Sequence, residues 1–141
     1  MRDARQVKYV FSALSVIVLD QVSKYLVLRS SFQALTSNGS MAFDVSAKGL
    51  EAYLMLLVIL ILTTILALGK IEKRYYFGLS LIIGGGIGNL IDRLIHHSVI
   101  DFIHTGLIPT FNVADFSITA GTLIVLFWLF FFKKLRSEPN S

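Results

Sequence analysis

The sequence has no cysteine and few charged residues, and each shortage excludes a class of protein. Without cysteine among 141 residues, the chain can form no disulfide and offers no thiol nucleophile or thiolate metal ligand. Charged residues make up 16% of the chain, hydrophobic residues 55%, and the mean hydropathy is +0.71. A soluble domain of this length needs more charge on its surface. The composition therefore indicates a membrane protein.

Long apolar runs dominate what the sequence does contain. Four of them have about the 17–25 residues that a tilted helix needs to cross a bilayer; they cover residues 7–28, 50–68, 75–95 and 116–132. The alternating pattern of membrane-barrel strands is absent, and hydrocarbon otherwise admits only helices because their backbone groups bond internally. We predict an all-α integral membrane protein, a single domain of residues 1–141 with four transmembrane helices.

Basic residues are distributed unevenly around these runs. Nine of the thirteen lysines and arginines lie in the two terminal tails and in the connection between the second and third runs: Arg2, Arg5, Lys8, Lys70, Lys73, Arg74, Lys133, Lys134 and Arg136. The positive-inside rule then places both termini in the cytoplasm and residues 29–49 and 96–114 on the outer side. Topology thus accounts for the net charge of +4, and we expect no nucleic-acid partner. Residues 29–40 are polar and rich in turn-forming residues, so we predict a surface loop with short extended pieces and a tight turn at Asn38-Gly39.

The first run begins with basic residues, as a secretory signal peptide does. Asp20 and Lys24 interrupt it, however, and no clear small-residue cleavage site follows, so we predict a retained helix. The two residues are four positions apart, acid before base, a spacing that favours an ion pair on one helix face. We expect this structural role for them rather than a direct part in chemistry.

Glycines and polar side chains distinguish the third run. Gly84 and Gly88 have the spacing that lets helices approach closely, and the cluster lacks the Lys-Ser/Thr of a phosphate-binding loop. Asn89 and Arg93 share a helix face, with Asp92 beside them. These polar residues form either an internally paired patch at the helix end or, through Arg93, a contact to a lipid headgroup or a substrate carbonyl.

Two aspartates, Asp101 and Asp115, lie fourteen positions apart between the third and fourth runs. Carboxylates at the edge of a bilayer are costly and usually mark a site, and a converging pair suffices for acid/base hydrolysis of a peptide bond. The alternative is that Asp115 caps the fourth helix and Asp101 is a solvated loop acid. His96, His97 and His104 lack zinc-ligand spacing, so we expect no metal.

Five short motifs, in order along the chain, resemble those of the signal peptidase II family, the lipoprotein signal peptidases. They are an Asp-Gln-x-Ser-Lys stretch, an Asn-Gly stretch ending in Ala-Phe, a glycine-rich stretch ending in Asn-x-x-Asp-Arg, an Asp-Phe pair and a Phe-Asn-x-Ala-Asp stretch. Here they occupy residues 20–24, 38–43, 85–93, 100–102 and 111–115. Motifs in this order, spread over four apolar runs, are specific to the family.

The resemblance implies a membrane aspartyl endopeptidase that removes signal peptides from bacterial prolipoproteins, cutting N-terminal to the diacylglyceryl-modified cysteine. It assigns Asp101 and Asp115 as the catalytic dyad, Asn38, Asn89, Arg93 and Asn112 as substrate-binding residues, and Asp20 and Lys24 as supporting residues. Hydrolysis would use a water molecule activated by the dyad, without a covalent intermediate and without a cofactor.

The family resemblance also implies a location and partners. We expect a monomer in the bacterial plasma (inner) membrane, with its active site near the outer face and with membrane lipids around it. A small extracytoplasmic β-platform should adjoin the site, and globomycin-type peptide antibiotics should inhibit the enzyme. Ile100 stands where valine is commoner, and residues 29–38 and 104–109 form shorter segments than is usual. We expect those shorter segments to alter lid motion and substrate range, not the chemistry.

Two other classes of protein stay open at this point. A small transporter or lipid-binding module with a proton relay would usually place its ionisable residues near mid-span and show an internal repeat; this sequence has neither pattern. An inactive homologue that only binds lipoproteins would retain the same residues.

Overall fold

Four α-helices make up most of the computed structural model, which describes residues 4–38, 50–68, 71–106 and 109–137. They are α1 (Ala4–Asn38), α2 (Leu50–Ala67), α3 (Tyr76–His96) and α4 (Val113–Ser137). A short 3-10 helix, Lys73–Tyr75, leads into α3. Strand pairing within the described ranges is limited to one antiparallel bridge between Ile103 and Phe111. The described part of the chain is therefore all-helical.

Helix α1 is longer than the first apolar run predicts. It continues past residue 28 to Asn38, where the sequence predicts a polar loop with short extended pieces. Residues 29–38 contain neither glycine nor proline, so nothing in them interrupts helical hydrogen bonding. The predicted loop is wrong up to residue 38. The predicted turn at Asn38-Gly39 continues into residues that lie outside the described ranges, and the β-platform stays a prediction.

Three of the helices are long and apolar enough to cross a membrane, over Val7–Ser30, Lys73–His96 and Val113–Phe131. The described apolar stretch of α2, Tyr53–Ala67, is shorter. Large apolar side chains of α1, α2 and α4 lie exposed on the outside of the bundle. Such a surface is soluble only in lipid, so the helices agree with the membrane protein that the composition predicts.

Helix α3 is the centre of the bundle, because it contacts each of the other three helices, whereas α2 approaches only α3 among the described helices. The consecutive glycines Gly84–Gly86 face α1, α4 and α2 in turn. A Cβ atom added to Gly84 would lie 2.7 Å from the backbone oxygen of Ala13, closer than packed atoms tolerate. The close helix packing predicted from the glycine spacing is confirmed.

Candidate active site

The first turn of α4 is built around Asn112 and Asp115, which cap each other's backbone. The Asp115 N–H donates to Asn112 Oδ1 at 2.9 Å, and the Asn112 N–H donates to Asp115 Oδ2 at 3.3 Å. This reciprocal arrangement is of the capping-box type and satisfies two N–H groups that a helix start leaves without helical partners. Asp115 is thus a helix cap, and its carboxylate is fixed at the end of α4 where negative charge is favourable.

The fully buried side chain of Asn112 connects Asp115's helix to Asp101. Its Nδ2 donates to Asp101 Oδ1 at 2.8 Å and to Asn89 Oδ1 at 3.0 Å. Asn89 Nδ2 donates in turn to Asp115 Oδ1 at 2.7 Å. Asp101 comes from the segment between α3 and α4, and Asp115 from α4 itself. The structure therefore brings both aspartates to one pair of asparagine amides.

Asp101 lies outside the helices and is an exposed residue. Partial burial raises the pKa of Asp101 above its ordinary value, and the nearby carboxylates of Asp115 and Asp92 act in the same direction. The hydrogen bond from Asn112 and the charge of Lys24 oppose this rise in pKa. Asp101 consequently keeps its proton to a higher pH than an isolated aspartate does, which suits a general acid.

A buried cluster of charges from α1 and α3 adjoins the two aspartates. Lys24 Nζ lies 2.6 Å from Asp20 Oδ2 and 2.7 Å from Asp92 Oδ2, and all three side chains are at most 2% exposed. The pair with Asp20 is the ion pair that the i,i+4 spacing predicts. Lys24 Nζ also donates to Asn89 Oδ1 at 3.2 Å. Buried ions are costly unless they are paired and hydrogen-bonded, and here each has several partners.

Asp20 extends this cluster to the N-terminus of α4. Its Oδ1 accepts the Ala114 N–H at 2.9 Å. A Cβ added to Gly88 would lie 2.7 Å from Asp20 Oδ2, so the glycine leaves the room that the carboxylate occupies. Through these contacts the Asp20 carboxylate links α1, α3 and α4.

Asp92 is the residue of this region that sequence reasoning undervalues. Its Oδ2 accepts the Ile100 N–H at 3.1 Å, and its Oδ1 accepts Gln21 Nε2 at 3.1 Å. The sequence places it beside Asn89 and Arg93, whereas the structure turns it towards α1. Its occurrence inside the Asn-x-x-Asp-Arg motif is the one signal in the sequence that could have singled it out.

Arg93 lies on the side of α3 that faces α2. Its Nη1 donates to the backbone oxygen of Asn89 at 3.3 Å and lies 3.8 Å from Met55 Sδ. The guanidinium is thus beside the asparagine that holds Asp115. The side chain of Asn38, the other residue predicted to bind substrate, lies outside the described residues.

Comparison with known proteins supplies independent information. Residues 12–131 match the family model described as signal peptidase (SPase) II. A lipoprotein signal peptidase of Caldicellulosiruptor bescii is 37% identical over 81% of this chain and 85% of its own length. One from Geobacillus thermodenitrificans is 32% identical over 91% and 92% of the two chains, and one from Listeria monocytogenes is 32% identical over 86% and 92%.

Solved structures of bacterial membrane enzymes, obtained by the in meso method, share the fold. One, at 2.3 Å resolution, superposes with a TM-score of 0.67 over 95% of this chain and 94% of that chain, at 21% sequence identity. A second, at 1.9 Å resolution, gives a TM-score of 0.62 over 86% and 92%, again at 21% identity.

Proposed function

Because this chain belongs to the signal peptidase II family, aspartic-type proteases that remove signal peptides from prolipoproteins, we propose that Asp101 and Asp115 are its catalytic dyad. The observation that carries the proposal is the Asn112 amide. The side-chain NH₂ of Asn112 donates to Asp101 at 2.8 Å. Its backbone N–H donates to the Asp115 carboxylate, and its side-chain oxygen accepts the Asp115 N–H. One fixed residue therefore sets the position of both carboxyl groups.

The proposed reaction is hydrolysis by a water molecule held between the two carboxyl groups. The ionised carboxylate takes a proton from the water as its oxygen attacks the scissile carbonyl carbon. The protonated carboxyl donates its proton to the carbonyl oxygen, and the peptide bond then breaks with proton transfer to the leaving amine. No covalent bond to the enzyme forms, in agreement with a chain that has no cysteine.

The surroundings of the two aspartates support different roles for them. Asp101 has a raised pKa because of partial burial and the neighbouring carboxylate of Asp115, so we assign it the proton at the start of the reaction. Asp115 accepts N–H donors on both oxygens, from Asn89 Nδ2 and from the Asn112 backbone. These donors hold the Asp115 carboxylate in place, and we assign it the role of the base as the other member of the dyad.

The asparagines are proposed to orient the dyad rather than to bind substrate directly. Their amide groups bond the two aspartates, each other, Lys24 and the Ile100 carbonyl, whereas the family resemblance implies substrate contacts for them. Arg93, on the α2 side of Asn89, is the proposed contact for a substrate carbonyl or lipid ester. Asn38 keeps its proposed substrate-binding role.

The placement of the dyad explains how a lipid-modified substrate would be positioned. The diacylglyceryl group on the cysteine after the scissile bond keeps its acyl chains in the bilayer, and thereby holds that bond at one depth. Fixing two reactants relative to each other in this way is worth several kcal/mol, up to about 7–11 in the best cases. A dyad at the edge of the membrane can exploit such anchoring.

The remaining features of the proposal concern topology and partners. We propose that all four helices cross the bacterial plasma membrane within one domain, with both termini cytoplasmic and the dyad near the outer face. The unequal distribution of basic residues supports this orientation. The proposal also includes a small extracytoplasmic β-platform, contact with membrane lipids, a monomeric state and inhibition by globomycin-type antibiotics.

The proposal is tested with Asp101→Asn and Asp115→Asn, assayed on a lipidated prolipoprotein peptide in detergent with mass detection of the shortened product. Each variant should lose cleavage by roughly 10²–10⁴-fold, since each removes one proton-transfer group. The matched control is Glu72→Gln, which neutralises an exposed carboxylate in the turn before α3 and should retain activity. Wild-type cleavage by either aspartate variant would refute the dyad.

A further inference from the structure

Asp92 is a buried acid, 1% exposed. It contacts two groups that hold the proposed dyad in place, the backbone next to Asp101 and the Lys24 ammonium group. Its Oδ2 accepts the Ile100 N–H at 3.1 Å and lies 2.7 Å from Lys24 Nζ. At that degree of burial it has no surface with which to touch a substrate. We propose that Asp92 is a positioning residue that fixes Asp101 and Asp115 relative to each other. This inference rests on the dyad proposed above.

The first support holds the chain from which Asp101 projects. Helix α3 ends at His96, and His97 adopts a left-handed conformation (φ 57°) that redirects the chain. Ile100 lies three residues after His97. Its N–H donates to the Asp92 carboxylate, and its carbonyl accepts a hydrogen bond from Asn112 Nδ2 at 3.4 Å. Both polar backbone groups of the residue before Asp101 are therefore held, which limits where its carboxyl can point.

The second support reaches Asp115 through Lys24 and Asn89. Asn89 Oδ1 accepts hydrogen bonds from Lys24 Nζ at 3.2 Å and from Asn112 Nδ2 at 3.0 Å. With its oxygen so occupied, the Asn89 amide must direct its NH₂ group at Asp115 Oδ1, 2.7 Å away. The Lys24–Asp92 ion pair keeps the ammonium group in place for this contact. The Asp92 carboxylate thus helps to position both Asp101 and Asp115.

A positioning role predicts an effect on the chemical step rather than on substrate binding. Displacement of a reacting group by about 1 Å can cost about 100-fold in rate. We expect Asp92→Ala to lower kcat by about that factor and to leave KM within about threefold, because no contact with substrate is removed. Asp92→Asn retains an oxygen for the Ile100 N–H but loses the charge that holds Lys24, so its kcat should be intermediate.

Ser80→Ala is the matched structural control. Ser80 is 3% exposed on the same helix, and its hydroxyl bonds Ser12 Oγ at 2.7 Å, joining α3 to α1 far from the dyad. This variant should lower the melting temperature and leave kcat per folded molecule unchanged. Folded protein is quantified for every variant by gel filtration in detergent and by the thermal unfolding transition.

The outcomes separate this inference from the dyad assignment. If Asp92→Ala and Ser80→Ala have the same kcat per folded molecule, the positioning role of Asp92 is overturned. The dyad assignment is upheld in that case as long as Asp101→Asn loses cleavage. If Asp92→Ala does not fold, Asp92→Asn decides, and wild-type kcat in that variant overturns the role. Normal cleavage by Asp101→Asn would overturn the dyad and this inference with it.

Discussion

Two neighbouring glycines of α3 allow one substitution to be compared at two different helix interfaces. A Cβ added to Gly85 would collide with the backbone oxygen of Ala114 in α4 and would lie 2.9 Å from Ile118 Cγ1. A Cβ added to Gly86 meets the side chain of Ile59 in α2, at 3.2 Å from Cγ1 and 3.4 Å from Cδ1. The first obstacle is backbone, which moves only with its helix. The second is a side chain, which needs to shift by only a few tenths of an ångström.

The expected magnitudes follow from these contacts. Overpacking costs about 1–3 kcal/mol, and replacing glycine by alanine inside a helix returns about 1 kcal/mol. For Gly85→Ala the overpacking cost should be near ~3 kcal/mol, so the net loss of stability is about 2 kcal/mol. For Gly86→Ala the cost should be near ~1 kcal/mol, so the change is nearly neutral. The displaced part of α4 carries Asp115, one residue after Ala114. Cleavage by Gly85→Ala should therefore fall by about 100-fold.

The two variants can be compared with a single pair of assays. The only tryptophan of the chain, Trp128, lies on α4, so its fluorescence reports thermal unfolding in detergent, and the lipidated peptide reports cleavage. Equal melting temperatures and equal rates for Gly85→Ala and Gly86→Ala would refute the reasoning, because the backbone contact between α3 and α4 would then have no consequence.

Three further predictions concern the site directly. In Asp115→Asn the pKa of Asp101 should fall towards its ordinary value, since a neighbouring carboxylate that raises it is gone; carboxyl-carbon NMR measures this, and an unchanged pKa contradicts it. In the wild type this raised pKa makes the native state bind more protons than the unfolded state, so the contribution of Asp101 to stability should decline as pH rises from 3.8 through the native pKa. Asn112→Ser should keep the helix cap, with stability within about 1 kcal/mol of wild type, yet lose most cleavage because serine has no amide NH₂ for Asp101; retained cleavage with a normal melting curve would contradict it.

What the sequence predicts well is local along a helix. The pairing of Asp20 with Lys24 depends only on a four-residue spacing, and the close packing at Gly84 and Gly88 depends only on residue size. Both are present in the structure. The positions of α2 and α3 likewise follow from the apolar runs, because hydrophobic length is a property of each segment alone.

What the sequence leaves open depends on contacts between helices. Lys24 and Asp92 are 68 positions apart, and no local spacing predicts their ion pair. Asn112 has the residue type of a substrate-binding amide, and only the packing of α3 against α4 shows that its donors are engaged by Asp101 and Asn89. Residues 29–38 are polar, and their composition therefore predicts a loop. They contain neither glycine nor proline, however, and α1 continues through them to Asn38.

The isolation of α2 has a consequence for how the bundle can adapt. Among the described residues, the hydrogen bonds to the Asp101 and Asp115 carboxyl groups come from Asn89 on α3 and from Asn112 in the segment that joins α3 to α4, and α2 approaches only α3. A tilt of α2 against its single neighbour would therefore break none of these hydrogen bonds to the two carboxyl groups. We therefore expect that α2 can shift on the lipid side of the bundle while Asp101 and Asp115, the proposed proton-transfer groups, stay fixed.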